Sequence, residues 1–236
     1  MQLLVGGSGS SGNSYILKAD DRYLILDAGV SLKAMMPLID FQISKLDGVL
    51  ISHFHIDHFG YANDWKKRGI KLITPFDDSN KNTTLKKGSS FSFKPFELKD
   101  TLGNWVHTNS DGTPCENYGY YIKLPNNEVL VYATDCEIIK WKFPNVNHYL
   151  IEANYDLDTL ENDGELKARR VFGSHLSIQA ACKFIQANQS SDLKTVTLCH
   201  LSSQNGSPEK FKKMMEETVG SNVKVEIARK GLVIDL

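Results

Sequence analysis

Short apolar runs separated by polar turns occupy the first third of the chain and predict buried strands. These runs are LLV, YILKA, RYLIL and VLIS. The glycine-rich segment Gly6 to Ser14 lies between the first two and predicts a turn joining two early strands. Ser31 predicts the N-cap of a short helix through about Ile39, which Pro37 kinks or ends. A second helix is predicted over Phe59 to Arg68.

The later part of the chain continues with strands and two longer helices. The predicted strands are KLIT, FSFKPFEL, NWVHT, YGYYIKL, EVLVYAT, HYLIEAN, TVTLCH, VKVEIA and LVIDL. Helices are predicted from about Ser177 to Gln189 and after Pro208. Two groups of strands, each closed by helices, favour two sheets packed face to face with helices outside, although periodicity alone leaves α/β and α+β open. With no repeat or linker, we expect one domain over residues 1–236.

Composition restricts the kinds of partner that we expect more than it restricts the fold class. The 236 residues include 27 basic and 28 acidic ones, with a net charge of −1 and no evident basic patch, which argues against a protein that grips long nucleic acid. The four cysteines are scattered and form no CxxC pair, so they predict free thiols. Neither a signal peptide nor a membrane-spanning run is present, and we expect a cytoplasmic protein without a membrane partner.

The segment ISHFHIDHFG, Ile51 to Gly60, carries the densest chemistry in the chain. His53 and His55 are two residues apart, so an extended backbone directs both imidazoles to the same face, where one metal can use both. Asp57 and His58 follow at a predicted turn and suit a second metal. Imidazole and carboxylate together are ligands of zinc, or of manganese and iron where carboxylates predominate.

HFHIDH resembles the HxHxDH signature of the metallo-β-lactamase fold superfamily. The resemblance implies an αββα sandwich with two mixed β-sheets between outer helices. It also implies a metal-dependent hydrolase, since zinc hydrolases dominate the superfamily. Its di-iron flavoprotein members usually carry Glu where this chain has His55, which favours hydrolysis over redox chemistry.

Three further ligand candidates each end an apolar run, as HFHIDH does: His107 follows NWV, Asp135 follows VLVYAT, and His200 follows TVTLC. The resulting pattern matches the phosphodiesterase members of the superfamily. It implies one metal bound by His53, His55 and His107, a second bound by Asp57, His58 and His200, and Asp135 as the bridge. We expect two divalent ions, with Zn²⁺ favoured and Mn²⁺ as the alternative.

We expect supporting or catalytic roles for three other residues. Asp57 is expected to be both a ligand and a catalytic residue. Asp27, in RYLILDAG, resembles the first motif aspartate of the superfamily, which orients ligands by hydrogen bonding; a plain turn residue is the alternative. His175, in GSHLSIQAA, resembles the histidine of tRNase Z relatives that protonates the leaving oxygen. Glu152 is expected to orient His175.

The order SGSSGNS, LDAG, HFHIDH, TDCE, IEANYD and LCHLSSQN resembles the YycJ (WalJ) branch of the tRNase Z-like group along nearly the whole chain. The chain is also similar to phage anti-Pycsar phosphodiesterases, which would place it in a host cytoplasm. We therefore expect hydrolysis of a small nucleotide, with a cyclic mononucleotide favoured; a YycJ-like DNA or RNA exonuclease is the alternative. The resemblance also implies a homodimer, which the aromatic segment Tyr118 to Tyr121 could serve; a buried core is the alternative for that segment.

Overall fold

Two six-stranded mixed sheets lie face to face and carry helices on their outer sides. The computed structural model describes residues 1–75, 85–160 and 173–236. The strands are β1 (Gln2–Gly7), β2 (Ser14–Ala19), β3 (Arg22–Leu26), β4 (Leu46–Leu50), β5 (Leu72–Ile73), β6 (Ser92–Glu97), β7 (Tyr118–Lys123), β8 (Val129–Ala133), β9 (His148–Glu152), β10 (Thr195–Cys199), β11 (Lys224–Ile227) and β12 (Val233–Asp235). The α-helices are α1 (Leu32–Met35), α2 (Ile56–Phe59), α3 (Ala62–Lys67), α4 (Leu157–Leu160), α5 (Ile178–Asn188) and α6 (Pro208–Val219).

Each sheet combines parallel and antiparallel pairs. The first has the order β12-β1-β2-β3-β4-β5, in which β3, β4 and β5 run parallel. The second has the order β11-β10-β9-β8-β7-β6, in which β8 to β11 run parallel and β6 and β7 form an antiparallel hairpin at the edge. The carboxyl ends of the parallel strands therefore provide adjacent positions for functional side chains.

Three apolar layers hold the sheets and helices together. The layer between the sheets contains Leu17, Leu24, Tyr120 and Leu150 among others, all fully buried. A second layer packs the first sheet against α1 and α3, and a third packs the second sheet against α5 and α6. This arrangement confirms the predicted αββα sandwich with two mixed sheets.

Two predicted elements differ from the structure. The segment NWVHT is not a strand, because Asp100 accepts hydrogen bonds from the backbone of Leu102 and Asn104 and folds the chain into a local turn. The helix predicted from Phe59 to Arg68 is two shorter helices, α2 and α3. Between them, the Tyr61 amide donates to the carbonyl of Ala28 instead of continuing a helix.

Other local predictions hold. Ser31 caps α1 by accepting a hydrogen bond from the Ala34 amide, and Pro37 lies in the 3₁₀ turn Met36–Ile39 that follows. The glycine-rich segment joins β1 to β2 as predicted. Among the described residues, no helix has both the length and the apolar character needed to span a bilayer.

A polar network lies at the amino-terminal ends of β9 and β10. His148 contacts Thr195 Oγ1 through Nδ1, at 2.9 Å, and Glu128 Oε2 through Nε2, at 2.8 Å. Lys194 pairs with the other Glu128 oxygen. Burial raises the pKa of Glu128, but the hydrogen bonds from Lys194 and His148 outweigh it and lower that pKa to about 2. His148 thus has a structural role at the end of the sheet opposite His200.

We predict that Glu128→Gln lowers the free energy of unfolding by roughly 1 kcal/mol at neutral pH, because the variant keeps the side-chain shape but loses the charge. A carboxyl whose pKa is lowered on folding stabilises the protein above its unfolded pKa of about 4.5 and loses that contribution as the pH falls toward its folded value. Urea unfolding at several pH values should show the difference shrinking below about pH 4.5. The exposed Glu216→Gln is the control, and a difference that does not vary with pH would contradict this account.

Candidate metal centre

The turn after β4 brings the four HFHIDH ligand candidates together. His53 and His55 have ring centroids 4.7 Å apart, and His53 and His58 have theirs 4.4 Å apart. Asp57 and His58 lie in the single helical turn α2 rather than in the predicted tight turn. Backbone bonds fix this segment: the Asn13 amide donates to the Asp57 carbonyl at 2.7 Å, and the Ala28 amide donates to the His58 carbonyl at 2.7 Å.

The distant ligand candidates meet this turn. His107 Nε2 lies 2.7 Å from His55 Nδ1, and His200 Nε2 lies 3.3 Å from Asp57 Oδ2. Asp135 lies between them, with Oδ2 3.0 Å from His58 Nε2 and Oδ1 4.0 Å from His107 Nε2. The structure thus brings together all seven residues predicted as metal ligands.

Two of the resulting groups match the predicted division into two sites. His53, His55 and His107 offer nitrogen atoms that lie within 4.8 Å of one another, and so do the ligand atoms of Asp57, His58 and His200. His53, His58 and Asp135 form a further such group, which places the Asp135 carboxylate between the other two.

His175 and Glu152 lie beside the ligand cluster. His175 Nδ1 is 2.8 Å from Glu152 Oε1 and 3.3 Å from Asp135 Oδ1. The same Glu152 oxygen is 2.9 Å from His200 Nδ1, while Oε2 accepts bonds from the amides of Leu176 and Cys136. Glu152 therefore contacts one predicted ligand as well as the predicted proton donor.

Asp27 lies beneath the cluster and is fully buried. Its Oδ2 is 2.7 Å from His58 Nδ1 and accepts bonds from Ser52 Oγ and the Tyr132 hydroxyl, at 2.9 Å and 2.5 Å. Its Oδ1 accepts the Ser52 amide at 2.7 Å. These contacts are those of a residue that orients a ligand, as predicted, and not of a plain turn aspartate.

Asn13, Ser52 and Tyr132 are parts of the site that sequence reasoning did not identify. Asn13 Nδ2 lies 3.2 Å from Asp57 Oδ2 and 3.0 Å from His58 Nε2, while its Oδ1 accepts the Gly9 amide. The SGSSGNS segment, which predicts a turn and resembles the YycJ branch, contains Asn13, but that interpretation gives Asn13 no contact with the ligands. No local sequence pattern indicates a role for Tyr132, because its contact with Asp27 joins residues 105 positions apart.

Charge and protonation fit a cationic occupant. Burial lowers the pKa of His53 well below its ordinary value and that of His107 to about 4, so both rings are neutral, as ligands must be. Burial opposes the charge on His200, yet the Asp135 carboxylate and its other neighbours raise that pKa to about 10. The positive charge of the protonated His200 ring partly neutralises the buried carboxylates. Bound divalent cations would neutralise them in the same way.

An orphaned atom supports the same fit. His53 Nε2 is buried and has no hydrogen-bond partner among the described residues. The other His53 nitrogen, Nδ1, lies 3.0 Å from Ser52 Oγ, so an outer group fixes the ring while the lone pair on Nε2 remains available. A buried imidazole with one anchored and one unpaired nitrogen is suited to binding a metal.

Comparison with known proteins agrees with this geometry. Residues 7–80 match the family described as the metallo-beta-lactamase superfamily. The crystal structure of the metallo-beta-lactamase fold protein YhfI from Bacillus subtilis superposes with a TM-score of 0.69 over 99% of this chain and 98% of YhfI, at 17% identity. The chain has the metallo-β-lactamase fold. The predicted fold is confirmed, and these similarities support the predicted superfamily and a metal-dependent hydrolase.

Two other similarities fall within the predicted group. The structure of human tRNase Z, short form, superposes with a TM-score of 0.61 over 100% of this chain and 99% of that one, at 13% identity. The exodeoxyribonuclease WalJ of Streptococcus pneumoniae is 28% identical over 229 residues, covering 86% of this chain and 82% of WalJ. The similarity to anti-Pycsar proteins remains a prediction.

Gly29 provides a test of how the ligand turn is held. A Cβ at this buried position would lie 1.7 Å from the Asp57 carbonyl oxygen and 2.6 Å from the Asn13 amide nitrogen, both of them backbone atoms. We predict that Gly29→Ala displaces Asp57 and His58, lowers stability by about 1–3 kcal/mol and weakens metal binding about 10-fold or more. Metal titration against a competing chelator, together with thermal unfolding, measures both effects.

Gly69→Ala is the matched control. Gly69 has a φ of 76°, and no atom lies within 4 Å of the position that a Cβ would take, so alanine there strains the backbone without approaching the site. It should cost about 1 kcal/mol and leave metal affinity unchanged. Wild-type metal affinity in Gly29→Ala would show that the turn does not depend on this close approach.

Proposed function

We propose that the chain is a dinuclear metal-dependent phosphodiesterase. The observation that carries the proposal is the convergence of seven ligand candidates on two adjacent positions. His175 lies outside both triads, although its ring also groups with Asp135, Glu152 and His200. A phosphodiester hydrolase needs charge neutralisation at the phosphate and a proton for the leaving oxygen. This site has residues suited to both. We also propose that residues 1–236 form a single hydrolase domain.

His53, His55 and His107 would hold one divalent ion, and Asp57, His58 and His200 the other, with Asp135 shared. The mixture of five imidazoles and two carboxylates suits zinc, with manganese as the alternative. When bound, such ions lower the pKa of water and take up negative charge on phosphoryl oxygens. Asp27 and Glu152 contribute by fixing the rings of His58 and His200 through their Nδ1 atoms.

His175 is proposed as the proton donor. Burial lowers its pKa, but the Glu152 and Asp135 carboxylates outweigh burial and raise it above the ordinary value, which favours the protonated ring. Glu152 holds Nδ1 at 2.8 Å, so Nε2 is directed away from that carboxylate. The side chain is 23% exposed, whereas His200 is 4% exposed, so His175 is the ring that a substrate can reach.

Two substrates are compatible with this chemistry. A cyclic mononucleotide is favoured by the near-neutral charge of the chain. The end of a DNA strand is favoured by the 28% identity to a protein named exodeoxyribonuclease. A homodimer stays a prediction; of its suggested segment, Tyr120 is fully buried and donates to the Ile51 carbonyl, while Tyr118 and Tyr121 are half-buried.

We predict that the protein with Mn²⁺ or Zn²⁺ hydrolyses at least one of two substrate sets: cyclic CMP, UMP, AMP and GMP, or single-stranded DNA and RNA. The two sets are incubated separately, and chromatography detects mononucleotides released from polymer ends in one and ring-opened monophosphates in the other. Polymer cleavage with cyclic nucleotides untouched would exclude the first substrate. Inactivity of the metal-loaded protein on both sets would contradict the proposed function.

We predict that His175→Ala lowers kcat about 10²–10⁴-fold on a substrate with an alkoxide leaving group, while metal content stays at the wild-type level. The loss should be much smaller on bis(p-nitrophenyl) phosphate, because p-nitrophenolate leaves without a proton. Comparison of kcat on the two substrates, with metal analysis of each preparation, tests the role.

His148→Gln is the control variant, since His148 is buried at the opposite end of the sheet and contacts Glu128 and Thr195. It should retain wild-type kcat on both substrates. Loss of metal from His175→Ala, or an equal loss of rate on both leaving groups, would refute the proton-donor role.

A further inference from the structure

An open groove runs along the β6–β7 edge of the second sheet, outside the metal centre. It has a volume of about 810 Å³. Six aromatic side chains line it: Phe93, Phe96, Tyr118, Tyr121, Trp141 and Phe143. The charged residues of the lining are Lys94, Lys123 and Glu97. The proposed chemistry at the metals uses none of these residues.

The rings in the groove are held in place. Trp141 is 39% exposed, yet its Nε1 donates to the Glu97 carbonyl at 2.7 Å, which ties the indole to the edge strand. Phe96 packs against Phe143 with ring centroids 4.9 Å apart and covers Gly119, where a Cβ would lie 2.3 Å from its ring. A fixed, partly exposed indole presents a stacking surface that loses little further conformational entropy when a ligand binds.

One end of the groove lies near the metal centre. Tyr118, at the start of β7, donates its amide to the Ser52 carbonyl at 3.0 Å, and Ser52 directly precedes the ligand candidate His53. Trp105 packs against Tyr118 with ring centroids 5.3 Å apart and lies two residues before His107. From there the groove follows the hairpin away from the metals, toward the pair formed by Ser92 and Lys123.

The charge of the lining favours a polyanion. Lys94 and Lys123 form no ion pair within residues 1–75, 85–160 and 173–236, while Glu97 is paired with Lys99 at 3.0 Å. Within the part of the chain that the structure describes, the groove therefore presents two lysines without an ion-pair partner next to aromatic faces. Proteins that bind single-stranded nucleic acid combine these two features, since lysines follow the phosphates and rings stack on bases.

We propose that this groove binds the single strand of a polynucleotide whose end enters the metal centre. The inference rests on the proposed phosphodiester hydrolysis and selects the polymer over the cyclic mononucleotide as substrate, because a mononucleotide at the metals does not extend along β6 and β7. A second copy of the chain is the competing occupant, and it would place its own surface against the same rings.

The test measures binding separately from catalysis. The metal-loaded protein is titrated into a fluorescein-labelled oligodeoxythymidine with phosphorothioate links, which resists hydrolysis, and anisotropy is recorded at several salt concentrations. Wild type is compared with Trp141→Ala, Trp141→Phe and the double variant Lys94→Ala/Lys123→Ala. Phe41→Ala is the matched control, since Phe41 is a 68% exposed ring on the outer side of the first sheet.

We expect Trp141→Ala to weaken binding about 5- to 150-fold, and Trp141→Phe to retain most of the affinity, since every base stacks on any aromatic face. The lysine variant should reduce the slope of log K against log salt by about 1.4, the value for two phosphate contacts on a single strand. Phe41→Ala should bind as wild type. Turnover of bis(p-nitrophenyl) phosphate should be unchanged in all four variants.

Wild-type oligonucleotide affinity in both Trp141→Ala and the lysine variant would overturn the inference. So would a change of oligomeric state in Trp141→Ala by analytical ultracentrifugation without a change in affinity, which would assign the groove to a second copy. If the proposed function is wrong, the wild type will not hydrolyse bis(p-nitrophenyl) phosphate. The anisotropy comparison of the variants can still be made in that case, so the two failures are distinguishable.

Discussion

The buried carboxylate of Asp27 joins the two sheets and the ligand turn. It accepts hydrogen bonds from Ser52 and Tyr132 and contacts His58, so a single side chain connects the end of β3 with the turn after β4 and with β8 across the interface. A buried charge is tolerated only where donors surround it. Because those donors come from both sheets, the packing of the sandwich and the orientation of His58 depend on the same contacts.

The strand ends explain how residues far apart in sequence reach one place. Asp27, Asp135 and His200 each follow a parallel strand, and each has a φ between 53° and 58°. Asp, Asn and His enter this left-handed region more readily than other residues with side chains. One such residue at the end of a strand turns the chain sharply at the edge of the sheet. Three such turns, one in the first sheet and two in the second, direct their side chains toward a common centre.

Most strands could be predicted from the sequence, and the ligand candidates that meet in the fold could be selected from it, because each has a local signature. Buried strands appear as apolar runs, and ligands follow them at strand ends. NWVHT has the apolar spacing of a strand. Its conformation is set instead by the turn at Asp100, which that spacing does not predict. The contacts of Asn13 and Tyr132 with the site join residues 44 and 105 positions apart. A local motif, SGSSGNS, contains Asn13, but no local pattern shows which residue either side chain contacts, so only the fold could reveal the pairings.

Glu152 shows how one carboxylate supports two different roles. Its Oε1 faces Nδ1 of both His175 and His200, and its Oε2 is held by backbone amides, so it cannot turn toward either ring alone. The two imidazoles then differ only in what their Nε2 atoms can reach. That of His200 lies 3.3 Å from Asp57, in the ligand cluster. His175 is the more exposed ring, and this difference in surroundings supports the proposal that His200 binds metal and His175 faces the substrate.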